Sequence, residues 1–156
     1  MDLDCQFCQI VRGERPARVV ADGPDALALF PLRPTCRGHT IVIPKAHVRD
    51  LWAAGSVLSA ELMQMVIGVG HAIRTALQPD GLNLISSAGQ AASQTVFHLH
   101  LHVVPRWAGD HIGSIWPPSP PLADEVKDET AAAIRAAYAA VSAGERACRN
   151  ERPLMP

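Results

Sequence analysis

The 156-residue chain has little excess of charge of either sign: 14 Lys and Arg stand against 15 Asp and Glu, for a formal net charge of −1. Such a balance gives no general electrostatic reason to bind nucleic acid or an anionic membrane, so any anion must be held by a local constellation. The marks of a secretory leader are missing too. Met1-Asp2-Leu3-Asp4-Cys5 carries acids where basic residues would stand, and no apolar h-region follows. The apolar runs fall short of the ~20 residues a membrane helix needs. The expectation is a soluble, cytoplasmic protein with neither a membrane nor a nucleic acid as partner. Cysteine is scarce: Cys5, Cys8, Cys36 and Cys148 are too few for a disulfide scaffold. In a reducing compartment, Cys5-Gln6-Phe7-Cys8 points instead to metal or redox chemistry. Internal repeats are absent, and the one biased tract is Trp116-Pro117-Pro118-Ser119-Pro120-Pro121, rigid and extended.

Apolar residues make up 48% and charged residues 19%, enough to build the core of one ordinary domain. Residues 4–12 read as a short helix carrying Cys5 and Cys8. Arg18 to Ala21 and Ala26 to Phe30 are apolar runs separated by Asp22-Gly23-Pro24-Asp25, a hairpin signal. Gly38 to Ile43 is β-branched and strand-like, ended by Pro44. Leu58, Leu62, Met65, Val66, Val69, Ile73 and Leu77 recur at three and four residues, predicting an amphipathic helix. Ser59 is a candidate N-cap, and Pro79-Asp80-Gly81 stops the helix. Leu82 to Ile85 predicts a strand, Ser86 to Ser93 a loop, Val96 to Val104 a long strand, and Ala123 to Ala143 a last helix. Strands and helices without regular βαβ alternation indicate the α+β class.

His98-Leu99-His100-Leu101-His102-Val103-Val104 is the most informative stretch. On a strand, alternation at period two puts all three imidazoles on one face and Leu99, Leu101 and Val103 on the other. On a helix, His100 would point away from its two neighbours. Two chemistries fit three clustered imidazoles: a catalytic metal held by all three, or nucleophilic attack by one imidazole with the others orienting it and handling protons. Upstream, Gln94-Thr95 offers an amide and a hydroxyl able to bind phosphoryl oxygens, behind small residues that let backbone approach a ligand. A phosphorus electrophile suits an imidazole nucleophile, because the phosphohistidine is labile enough for water to discharge.

These residues resemble the histidine triad (HIT) family. The triad stretch followed by Pro105-Arg106 matches its signature His-φ-His-φ-His-φ-φ, and Gly38-His39-Thr40-Ile41-Val42-Ile43-Pro44-Lys45-Ala46-His47 is similar to its GH-x-L-V-x-P-K-x-H stretch. The resemblance covers about residues 5–118. It implies a five-stranded antiparallel sheet per subunit and a homodimer, with residues 1–118 as the HIT domain and 119–156 as a proline-rich strap and helical extension. It implies nucleotide hydrolase or nucleotidyl-transferase chemistry at an α-phosphate, on a nucleoside phosphoramidate, an adenylylated compound or a dinucleoside polyphosphate. By position, His100 is then the nucleophile, His102 the contact to the phosphate and leaving-group side, and His39 the fourth active-site histidine. Gln94 and Thr95 become phosphate ligands, and Ser87 occupies the position of a substrate-binding asparagine. Trp116-Pro117-Pro118 resembles the C-terminal Trp-Pro-Pro of the Hint branch.

Cys5-x-x-Cys8 has the spacing of half a zinc site. Resemblance to the zinc-containing bacterial branch completes it with His47 and His98: two thiolates and two imidazoles, a closed tetrahedron and hence a structural zinc. Cys36 and Cys148 have no partner pattern and read as structural or surface thiols. Besides Ser87, two further departures bear on substrate recognition. Pro31 stands where the family commonly has a ribose-binding acid, and Ser93 precedes Gln94 where glycine is common. The missing acid and the extra helix keep a non-catalytic nucleotide-binding or interaction module open as the alternative.

Overall fold

The computed structural model describes residues 4–116 and 118–150, with side chains described up to residue 142. Pro117 and the side chain of Cys148, named above, lie outside what is described. One compact unit runs to Gly113 and a second begins at Ser114.

The first unit opens with helix α1 (Gln6–Val11), with Cys5 at its N-cap and Phe7 and Cys8 buried. Strands β1 (Arg18–Asp22) and β2 (Ala26–Phe30) form the expected hairpin, and β3 (Thr40–Pro44) pairs antiparallel with β2. Helix α2 (Ser56–Leu77) follows, then β4 (Gly81–Ser86) and β5 (Leu101–Arg106). The five strands make one antiparallel sheet in the order β1-β2-β3-β5-β4. This is the α+β architecture the sequence predicts.

Each face of the sheet carries its own core. On one, Leu62, Val66, Val69 and Ile73 of α2 meet Ala28, Val42, Leu99, Leu101 and Val103. On the other, Cys5, Phe7 and Cys8 meet Leu27, Leu29, Ile41 and Ile43. Alternation along each strand divides its side chains between the two. By length and composition α2 would also pass for a membrane span. Its apolar stripe is one-sided and lies against the sheet, with each fully buried Leu, Ile or Val contributing about 1.5–3 kcal/mol.

Two boundaries differ from expectation. Helix α2 begins four residues early, with Gly55 at the N-cap in place of Ser59, and the Ser59 hydroxyl donates to the Gly55 carbonyl from inside the helix. Strand β5 begins at Leu101, not Val96. In the β3–β5 register Val42 faces Leu101, so Pro44 would face Leu99. Pro44 has no N–H to offer a ladder. Leu99 donates instead to the Val48 carbonyl, and the Pro44 carbonyl accepts from the His98 ring.

In the second unit, helix α3 (Asp124–Asn150) is longer than the sequence predicts. Its side chains Val126, Ile134, Tyr138 and Val141 are exposed.

Candidate active site and metal centre

The segment leading into β5 places His98, His100 and His102 on the α1 side of the sheet, while Leu99 and Leu101 go to the α2 side. The period-two argument holds even where the ladder does not begin. His98 and His100 are buried, His98 completely, and the rings of His100 and His102 lie 4.9 Å apart in an edge-to-face arrangement.

A backbone or ring partner sets the tautomer of each histidine. The His98 Nε2–H donates to the Pro44 carbonyl at 2.9 Å, which leaves Nδ1 as a lone pair directed at the cysteine sulfurs. His100 Nδ1–H donates to the His98 carbonyl at 2.7 Å, so its Nε2 is unprotonated and nucleophilic. The Thr35 N–H donates to His39 Nδ1 at 3.0 Å, so His39 carries its proton on Nε2 and passes a 2.9 Å hydrogen bond to His102 Nδ1. His102 therefore presents an Nε2–H. An additional proton on His39 or His102 must break a hydrogen bond. Burial, with the neighbouring His100 and His39, pushes the His102 pKa down to about 4, and burial lowers His39 as well.

Gly38 holds the His39 end of this chain. Its φ of +84° lies in the left-handed region, and a Cβ there would collide with Leu77. Only glycine fits.

Beside His100 and His102 opens a cavity of about 830 Å³, with Phe7, Leu29, Phe30 and Val96 among its walls and Thr95 and Pro31 on its lining. Thr95 thus shares the cavity lining with His100 and His102. Gln94 does not: it is buried, its amide accepts from the Gly89 N–H at 2.8 Å and donates to the Arg49 carbonyl at 2.7 Å. The side chain expected to ligate phosphate instead ties down the loop that presents Thr95. Ser87, just past the end of β4, is not among the lining residues. The loop Arg106 to His111 closes on itself, Arg106 pairing with Asp110 at 2.6 Å and with Asn83 at 2.8 Å. Phe7 escaped notice in the sequence although it lies inside the Cys-x-x-Cys motif; its ring stands edge-on to both His98 and His100.

Cys5, Cys8, His47 and His98 converge, their donor atoms all within 4.8 Å of one another. Sulfur-to-nitrogen separations are 3.3 Å for Cys8–His47, 3.4 Å for Cys5–His98 and 3.6 Å for Cys8–His98. A tetrahedral zinc with ordinary bond lengths needs about 3.6 Å along such an edge. The donor set and its spacing fit zinc. No disulfide joins the two thiols.

Residues 12–109 match the HIT domain family. The chain belongs to the HIT family. Protein hit from Bacillus subtilis is 35% identical over 114 residues, spanning 72% of this chain and 79% of that one. The adenosine 5′-monophosphoramidase hnt1 of Schizosaccharomyces pombe is 32% identical over 126 residues, spanning 80% and 92%. Among solved structures, a zinc-bound histidine triad family protein from Mycobacterium smegmatis superposes with a TM-score of 0.68 at 36% identity, covering 91% of this chain and 98% of its own. The HIT fold is therefore established here by sequence and by structure, and the family includes named nucleotide hydrolases.

Proposed function

We propose that this HIT protein is a nucleotide hydrolase or nucleotidyl transferase that acts at an α-phosphate through His100. The observation that carries the reading is the tautomer chain: the His98 carbonyl fixes the proton of His100 on Nδ1 and frees Nε2 beside the cavity. Attack by Nε2 forms the N–P bond as the bond to the leaving group breaks. The leaving group departs with the electron pair and takes a proton from solvent. The resulting imidazolium keeps its Nδ1–H on the His98 carbonyl, a charge-assisted bond that strengthens as the charge develops. His102, neutral, donates from Nε2 to the phosphoryl oxygens, and Thr95 adds its hydroxyl. Water then attacks phosphorus and expels neutral His100 with release of one proton; an acceptor other than water makes the same step a transfer.

Zinc held by Cys5, Cys8, His47 and His98 supplies a closed structural crosslink and no open position. It would fix α1, and with it Phe7, against the histidine segment. A homodimer is supported by an apolar surface shared between α2 and edge strand β4, where Ile67 and Leu84 are exposed; sedimentation at micromolar concentration tests it.

The deciding experiment is a panel of adenosine phosphoramidate, adenylyl sulfate and dinucleoside polyphosphates with wild type and His100→Ala. The variant should fold and lose activity by several orders of magnitude, as removal of a covalent nucleophile does. Comparable turnover in the two proteins overturns the mechanism, and nucleotide binding without turnover by the wild type identifies a binding module.

A further inference from the structure

The cavity beside the histidines has a charge its apolar walls do not call for. Arg15, Arg18 and Arg33 line it, and among the described residues no carboxylate does. The chain as a whole is nearly neutral, so this is a local arrangement of cations. Among the described residues no salt bridge takes any of the three, whereas Arg12 is held by Glu14 and Lys45 by Asp22.

By chain position, Arg15 and Arg18 stand on the β1 side of the cavity and Arg33 in the segment that follows β2. Arg18 begins β1 and faces Phe30 in the β1–β2 register, and Pro31 to Arg33 continue from Phe30. Arg15 precedes β1. The attacking histidines come from β5 and the segment before it, two strands from β2 and three from β1. At ~4.8 Å per strand the backbones stand roughly 10 and 14 Å apart. A group bonded directly to the scissile phosphorus sits at His100. A group carried on the ribose sits one sugar further on, toward β2 and β1. At that place Pro31 offers no side-chain acceptor for ribose hydroxyls, while guanidinium groups offer forked donors suited to a phosphate.

We infer that this pocket selects nucleotides whose ribose carries a second phosphate, at the 2′ or 3′ position, with Arg15, Arg18 and Arg33 as the specificity-determining residues. The inference rests on the proposed function for placing the α-phosphate at His100, but its test does not require turnover. Calorimetry on the wild-type protein compares AMP, ADP, adenosine 2′,5′-bisphosphate and adenosine 3′,5′-bisphosphate. ADP and the bisphosphates each carry a second phosphate but place it differently. One of the bisphosphates should bind roughly 10-fold or more tighter than both AMP and ADP, the scale of added charge-assisted contacts. The advantage should collapse in Arg33→Gln and Arg15→Gln, while AMP affinity and the melting temperature hold. ADP binding as tightly as either bisphosphate would assign the arginines to the phosphate chain and overturn the inference. Equal binding of all four, or a preference that survives both substitutions, would do the same. A bisphosphate preference in a protein that turns over nothing would sink the hydrolase reading and leave this one standing.

Discussion

The two faces of the sheet are built from alternate residues of the same strands, yet different forces hold them. The α2 face is held by burial alone: Leu62, Val66, Val69 and Ile73 against Leu99, Leu101 and Val103. On the α1 face, the same stretch of chain turns His98, His100 and His102 toward a short helix, and directional bonds do the organising. Apolar contact tolerates substitution of similar volume, whereas a tautomer chain tolerates none. Damage to the first face should therefore appear as lost stability, and damage to the second as lost chemistry.

The sharpest separation is a pair of single substitutions. Leu62→Ala removes a fully buried side chain from the α2 face and should cost about 2–5 kcal/mol of stability. Where the protein remains folded, its turnover per folded molecule should stay near wild type. Chemical denaturation beside active-site titration reads both quantities. A severe kinetic defect in folded Leu62→Ala would mean that the faces are coupled through the strand.

Metal loss should weaken the α1 face without abolishing it. Wild-type protein prepared without chelator should carry about one zinc per chain, and Cys8→Ser should lose the metal and melt at a lower temperature. His98 turns its ring to Cys5 and Cys8 and its carbonyl to His100. The variant should therefore also lose activity, by roughly 10- to 100-fold, as disturbed outer-shell partners do, far less than His100→Ala. Elemental analysis finding no metal in the wild type would refute the zinc site.

The histidine pattern was legible in the sequence because a strand's period of two is short and three imidazoles in five residues leave little ambiguity. Cys5, Cys8, His47 and His98 could be grouped from family resemblance, and their side chains do converge. The partners that set each tautomer were not legible. Pro44 and His98 act through carbonyls and Thr35 through an N–H, and a backbone group has no side-chain signature. The start of β5 was misplaced for a related reason: periodicity in Val96 to Val104 carries no information about whether a partner strand can supply N–H groups. The loop-holding contacts of Gln94 were not legible either, because an amide serves equally to bind phosphate or to bind a loop, and both its partners here are backbone groups.

Acid should act selectively on the histidine face. The unfolded chain protonates His102 near the ordinary 6.5, while the folded protein resists down to about 4. Between those values the unfolded state binds more protons, so stability should decline as pH falls from about 6.5 toward 4 and level off for this group below that. His39 acts in the same direction. His102→Phe should flatten part of the decline. An unchanged slope of melting temperature against pH in that variant would assign the acid sensitivity elsewhere.

The smallest expected effect lies within the histidine face, between its phosphate end and its nucleoside end. Pro31 lines the cavity at the close of β2 and has no side-chain acceptor for ribose hydroxyls. A carboxylate at that place would accept hydrogen bonds each worth ~1.5–3 kcal/mol in mutational series. The wild type should therefore distinguish adenosine phosphoramidate from its 2′,3′-dideoxy analogue poorly, by ~10-fold or less. Pro31→Asp should raise that ratio, mainly through KM, because the added bonds form equally in the ground and transition states. The same substitution sets a carboxylate near Arg33, so any preference for a phosphorylated ribose should fall as the preference for free hydroxyls rises. Both ratios come from steady-state kinetics on one set of analogues. A strong ribose preference in the wild type would show that another residue has taken over the contact, and the nucleoside end would then be as demanding as the phosphate end.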